Sequence, residues 1–201
     1  TSIKIKSLDH YEELGYDENT ITDVVVAARN PGSWGNGLRL GIIDAKADQI
    51  LGISTEYAVV GRGVTQAVPP NTVIAGAGTT SVLDGYFKGI ITEVGEGEIE
   101  VKILTHVSAG GTFTDIGYQP GGVYKFSTTG NIGFNTTGGS VGFAVSVTST
   151  KDWFDQQELT LTSSTTIKWN QIADRPGTSE YASARGSKND EVHVVVVDGD
   201  G

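Results

Sequence analysis

Gly138-Gly139-Ser140-Val141-Gly142 fits the G-x-S-x-G pattern of a hydrolase nucleophile elbow. That device needs a strand, a sharp turn bearing the serine, and a helix whose N-terminus stabilises an oxyanion. Residues 143–150 alternate apolar and polar side chains as a strand does, so the required helix is not expected. The surroundings are also rich enough in Gly and Ser to match the pattern by chance. His10, His106 and His193 are the three histidines, and none has a second His or a carboxylate at a metal-binding helical spacing. Asp198-Gly199-Asp200-Gly201 offers only the first oxygen ligands of a calcium loop and is read as a turn. Asp17, Glu18, Asp152 and Asp155 are read as solvated surface, and nothing marks a specific carboxylate pair for glycoside hydrolysis. Trp34, Trp153 and Trp169 are read as packing or interface anchors rather than a sugar-binding face. Gly61-Arg62-Gly63 and Gly76-Ala77-Gly78 lack the Lys-Ser/Thr of a phosphate loop. The expectation is a protein that is not an enzyme, with no catalytic, cofactor-binding or metal residues and no cofactor.

The composition points the same way. The chain has 201 residues, no Cys, 24 acidic against 14 basic side chains and a net charge of -10. Without Cys there is no thiol nucleophile, thiolate metal site or disulfide. So acidic a surface repels phosphate backbones and anionic lipid, so nucleic acid is not an expected partner. No apolar run is long enough to cross a bilayer as a helix, and membrane insertion is not expected. The chain also has no Met, from which it is expected to be a piece of a longer or processed polypeptide.

The elements that must carry these residues are mostly strands. Residues 2–6 alternate as a half-buried strand, and residues 9–14 read as a short helix begun by Asp9 with Glu12 and closed by Gly15. Residues 21–28 and 38–45 are strands framing a turn-rich loop around Trp34, which is expected to pack at the corner between them. From residue 52 to 164 Gly, Thr and Ser are dense and no helical period appears. Residues 85–94 and 98–107 form the clearest hairpin, turning at Gly95-Glu96-Gly97, with Ile99, Val101 and Ile103 on one face. Further strands are expected at 123–126, 131–134 and 141–149, and a last hairpin pairs 158–162 with 165–169. Many short strands with regular turns indicate a small barrel or sandwich. A short helix is expected at 179–185, stopped by Gly186. The apolar run Val194 to Val197 implies a strand buried on both faces, pairing with 21–28 or 38–45. The expected fold class is α+β, predominantly β. Residues 1–55 plus 168–201 would make an αβ sheet unit, into which residues 56–167 insert as a Gly/Thr-rich β-barrel or sandwich module.

Two stretches carry a family resemblance. One is Arg29-Asn30-Pro31-Gly32 followed by Trp34-Gly35-Asn36 and Leu38. The other is Arg175-Pro176-Gly177-Thr178-Ser179 through Asn189-Asp190-Glu191-Val192-His193 to Val197-Asp198. In order and flanking pattern they resemble the tail sheath proteins of T-even-type contractile phages and their marine relatives. The hairpin from Asp84-Gly85-Tyr86-Phe87-Lys88-Gly89-Ile90 to Val107 is consistent with the inserted barrel domain of that family. The resemblance covers around a third of the chain, and residues 108–165 give little to match. It implies the central fragment of a structural virion subunit, located in the phage tail and assembled in the host cytoplasm. Its implied partners are other sheath subunits, the tail tube and the baseplate. Its implied work is polymerisation around the tube and contraction that drives the tube through the host envelope. An alternative from the composition is a β-rich adhesin or carbohydrate-binding module built on the Gly/Thr-rich section.

Overall fold

Strict alternation in Glu98-Ile99-Glu100-Val101-Lys102-Ile103 puts three β-branched residues on one face, and they form the wall of a closed barrel. The computed structural model describes residues 33–54, 63–67, 72–76, 79–115, 125–128, 130–135, 141–162 and 164–198. The strands expected at 2–6 and 21–28 and the helix at 9–14 lie outside the described residues. In chain order the strands are β1 (Leu38–Ile43), β2 (Gln49–Ile53), β3 (Gly63–Ala67), β4 (Thr72–Gly76), β5 (Thr79–Leu83), β6 (Tyr86–Val94) and β7 (Glu98–Val107). They continue with β8 (Phe113–Asp115), β9 (Asn131–Asn135), β10 (Val141–Asp152), β11 (Glu158–Thr160), β12 (Thr166–Lys168) and β13 (His193–Asp198). One helical turn, α1 (Glu180–Ser183), lies between β12 and β13.

The chain divides into two compact units. One holds Thr1–Gly41, Thr160–Thr165 and Val195–Gly201, and the other holds Ile42–Leu159 and Thr166–Val194. Both β1 and β13 straddle the division, and they pair as a two-stranded sheet. The chain is predominantly β, in agreement with the fold class read from its composition and turns.

In the larger unit the ladder runs β2-β10-β9-β3-β6-β7, and β2 pairs again with β7. Six antiparallel strands therefore close on themselves, which removes the open edges of a flat sheet. The long strand β10 serves its two neighbours in succession. Its first half lies against β9 and its second half against β2, with a register shift between Val147 and Ser149. Leu51, Ile53, Val64, Phe87, Ile91, Ile99, Val101, Ile103, Ile132, Phe134, Val145 and Val147 fill the interior. The β6–β7 turn needs a left-handed residue, which Gly97 supplies at φ 71°.

The interior is completed by a segment that is not a strand. Residues 125–128 carry no ladder, which corrects the end of the strand expected at 123–126, whose first two residues lie outside the described residues. Their backbone bonds go to two buried glutamine side chains instead. Gln49 Oε1 accepts from Phe126 N at 2.6 Å, and Gln49 Nε2 donates to Phe126 O at 3.1 Å. Gln66 Nε2 donates to Ser127 O at 2.8 Å, and Gln66 Oε1 accepts from Ser127 N. Each side-chain amide presents one donor and one acceptor, as a neighbouring strand would. The Phe126 ring, 1% exposed, enters the core edge-on to Phe87 at 6.3 Å. It lies against Gly89, where an added Cβ would stand 3.2 Å from the ring and 2.6 Å from Lys102 O. Only glycine fits there.

Two further expectations are corrected. Trp34 does not pack in a corner, because it is 55% exposed in a 3₁₀ turn, Ser33–Asn36. The strand β13 is not buried on both faces, since Val192, Val194 and Val196 are 54%, 58% and 60% exposed. Among the described residues its ladder partner is β1, one of the two strands expected to pair with it.

Candidate functional site

Three places gather the chain's chemistry. The first is a charged cluster where residues 152–177 cross the barrel strands. Asp48 precedes β2, Lys102 is on β7, Asp152 ends β10 and Arg175 lies in the segment before α1. Asp152 Oδ1 accepts from Phe154 N at 3.0 Å and Asp155 N at 3.4 Å, which caps a 3₁₀ turn, Phe154–Gln156. Arg175 Nη2 donates to the same oxygen, and Arg175 Nη1 stands 3.9 Å from Asp48 Oδ1. The guanidinium also lies 5.7 Å from the Phe154 ring centroid. Asp48 Oδ2 accepts from Ile103 N at 2.7 Å, and Asp48 O accepts from Trp153 N at 3.1 Å. Lys102 Nζ donates to Ala45 O.

Only 8% of the Arg175 side chain is exposed, against 21% of Asp48 and 12% of Asp152. Burial pushes the Asp48 carboxyl above its ordinary range, although Ile103 N–H, Lys102 and Arg175 oppose that shift. Burial likewise pulls the Lys102 ammonium below its ordinary value. The lone pairs of Asp48 and Asp152 are used by backbone N–H groups and Arg175. Chemically, the cluster holds a strap onto a barrel, and the buried Trp153, Phe154, Trp169 and Pro176 pack beside it. Asp152 is thus an internal partner, which corrects its reading as solvated surface. Asp155 is exposed and accepts from Asn170 Nδ2 at 3.0 Å.

The second place follows directly. Residues 176–191 form a closed arch in which most polar groups of one limb bond the other. Gly177 N donates to Glu191 Oε2 at 2.7 Å, and Glu191 N returns a bond to Gly177 O at 3.3 Å. Asn189 N donates to Thr178 Oγ1 at 2.9 Å. Ser179 N and Ser179 Oγ both bond the Asp190 carboxylate, at 2.9 and 2.7 Å. These bonds hold the Asp190 carboxyl below its ordinary range. The Ser179 hydroxyl also caps α1 by accepting from Ala182 N at 3.1 Å. Gly186 leaves the helix at φ 70°, and Asn189 takes the left-handed conformation at φ 55°. The expected helix start and stop at Ser179 and Gly186 are both found.

The third is the apolar sheet of β1 and β13. Leu40 and Ile42 are exposed on β1, and Val194 and Val196 on β13. Exposed aliphatic side chains at alternate positions of a strand have the composition of a contact surface rather than of a solvated one.

Among the described residues, those weighed for catalysis are not brought together. His106 is buried inside the barrel, bonded to Asp84 O and tilted against Phe87 at 5.4 Å. A register shift at Leu104 turns it inward. His193 begins β13. His10 and Ser140 lie outside the described residues, and Val141 opens a strand where an elbow requires a helix. Trp153 and Trp169 are buried anchors at 4% and 3% exposed. Among the described residues no three His, Asp or Glu side chains group as metal ligands. Asp48 and Lys102 carried no signal in the sequence, and Arg175 stood out only within the family resemblance, because the cluster joins positions far apart in the chain. No protein-family model, curated protein or solved structure matches this chain.

Proposed function

We propose that the chain is the central part of a structural subunit of a contractile phage tail sheath, whose work is assembly and repacking rather than catalysis. The observation that carries the reading is the arch. The resemblance rests on Arg175-Pro176-Gly177-Thr178-Ser179 and Asn189-Asp190-Glu191, and here Arg175, Gly177, Thr178, Ser179, Asp190 and Glu191 are all engaged in internal bonds. Residue types that look like a motif are consumed as architecture, as expected of a building block. The exposed aliphatic side chains of β1 and those of β13 support the same reading, because a subunit must present surface for its neighbours. In the proposed assembly the partners are other sheath subunits, the tube and the baseplate, and energy resides in subunit contacts.

The test is expression of the complete parent reading frame followed by negative-stain electron microscopy. Hollow tubes of uniform diameter are the expected product. A parent protein that stays monomeric at high concentration, or whose frame ends with this chain at both termini, would sink the proposal.

A further inference from the structure

The hairpin of β4 and β5 stands apart from the barrel ladder. Its strands pair with each other from Thr72↔Leu83 to Gly76↔Thr79, and within the described residues neither has a second partner. Among the described residues each strand therefore keeps one edge without a ladder partner, and a lone two-stranded hairpin is only marginally stable in water. Edges of this kind are normally blunted by charge, above all by Lys. Charge does not blunt them here, because Val64 through Leu83 contains no Asp, Glu, Lys or Arg. The other long stretch without such residues, from Phe126 through Thr150, is placed differently. Its strands β9 and β10 each have two ladder partners in the barrel.

Charge selects the partner. Two copies of a chain at -10 repel one another over most of their surface. The approach is least opposed where neither carries charge, and an edge that meets its own copy across a twofold axis matches it in length and polarity. We propose that the β4–β5 hairpin is a self-association element, which adds edge to edge to the same hairpin of a second copy and forms a four-stranded sheet. The proposal concerns this chain's own association and stands independently of the sheath reading.

Sedimentation velocity over a rising concentration series tests it. The mass is expected to climb from 21.1 kDa toward twice that value. Added salt should strengthen association by screening the repulsion. The double variant Ile74→Lys/Val82→Lys charges both strands at positions that do not face each other and is expected to abolish the concentration dependence. Its near-ultraviolet circular dichroism, from the buried Trp153 and Trp169, should stay that of the parent and so exclude unfolding of the barrel unit. The chain has no native Cys, so Ile74→Cys or Ser81→Cys should give disulfide-linked dimers on oxidation, whereas Ser187→Cys in the arch should not. A mass of 21.1 kDa at every concentration and salt would overturn the proposal. So would a dimer that the lysine variant leaves intact.

Discussion

Gln49 is the side chain on which the barrel interior turns. Gln49→Met keeps an unbranched side chain of similar length but offers Phe126 neither acceptor nor donor. Phe126 N–H and C=O would then stand unpaired beside a residue that is 1% exposed. Each buried orphan costs about 1–3 kcal/mol, so the pair costs about 2–6. Methionine is easier to bury than an amide, and the segment can relax slightly. The expected loss is therefore about 3 kcal/mol, read from urea denaturation as a lower midpoint at unchanged m-value. Gln49→Glu sharpens the test. Its carboxylate can still accept from Phe126 N–H, but it cannot donate to Phe126 O, and burial raises its pKa. When protonated it restores both bonds. A folded pKa above the unfolded one means that stability is gained as pH falls through the folded value. Gln49→Glu should thus approach the parent's stability in mild acid and fall away near neutrality. A loss below about 1 kcal/mol for Gln49→Met would refute the reasoning, since that is the scale of an ordinary surface change. A Gln49→Glu profile parallel to that of the parent would refute it equally.

Arg175→Met leaves Asp152 without its cation and Asp48 with Lys102 alone in a nearly closed site, and a loss of about 3–5 kcal/mol is expected in the same denaturation assay. Arg175→Lys should recover only part of it, because an ammonium cannot fork between two carboxylates. The raised Asp48 pKa sets a pH dependence. The folded state binds this proton more tightly, so the cost of the buried charge is relieved as pH falls from neutrality through the folded value. Asp48→Asn keeps an acceptor for Ile103 N–H and should flatten that limb of the stability curve. Asp190 works in the opposite sense, since its lowered pKa gives a contribution present near neutrality and lost in acid. Trp34→Ala should change stability by no more than about 0.5 kcal/mol, because the ring lies largely in water.

The parts legible in the sequence are those where local pattern and tertiary environment agree. Ile99, Val101 and Ile103 alternate because one face of β7 meets the core, and Gly97 marks the turn because only glycine takes its φ freely. Ser179 and Gly186 likewise announce the ends of α1. What escaped was set by distant partners. Phe126 sits in an apolar run that reads as a strand, yet its backbone is satisfied by Gln49 and needs no ladder. His106 faces inward because a bulge at Leu104 shifts the alternation by one residue, which no periodicity count registers. Val194 to Val197 reads as buried because it is apolar, but burial depends on what flanks the strand. The cluster of Asp48, Asp152 and Arg175 was invisible for the same reason. Its members are ordinary surface residues until the barrel closes.

The order of the ladder also bears on how the protein emerges from the ribosome. Once the β6–β7 hairpin exists, β2 can lie against β7 through Gln49↔Val101 and Leu51↔Ile99. Its other edge waits for Leu51↔Thr150 and Ile50↔Lys151, so most of the chain must be synthesised before the barrel can shut. Until then a nascent chain presents an open sheet with Leu51 and Ile53 uncovered. Pairings between strands so far apart in sequence form slowly, because loop closure has to be paid before the contacts are made. The half-and-half pairing of β10 makes that strand the last stave, and its arrival seals both neighbours at once.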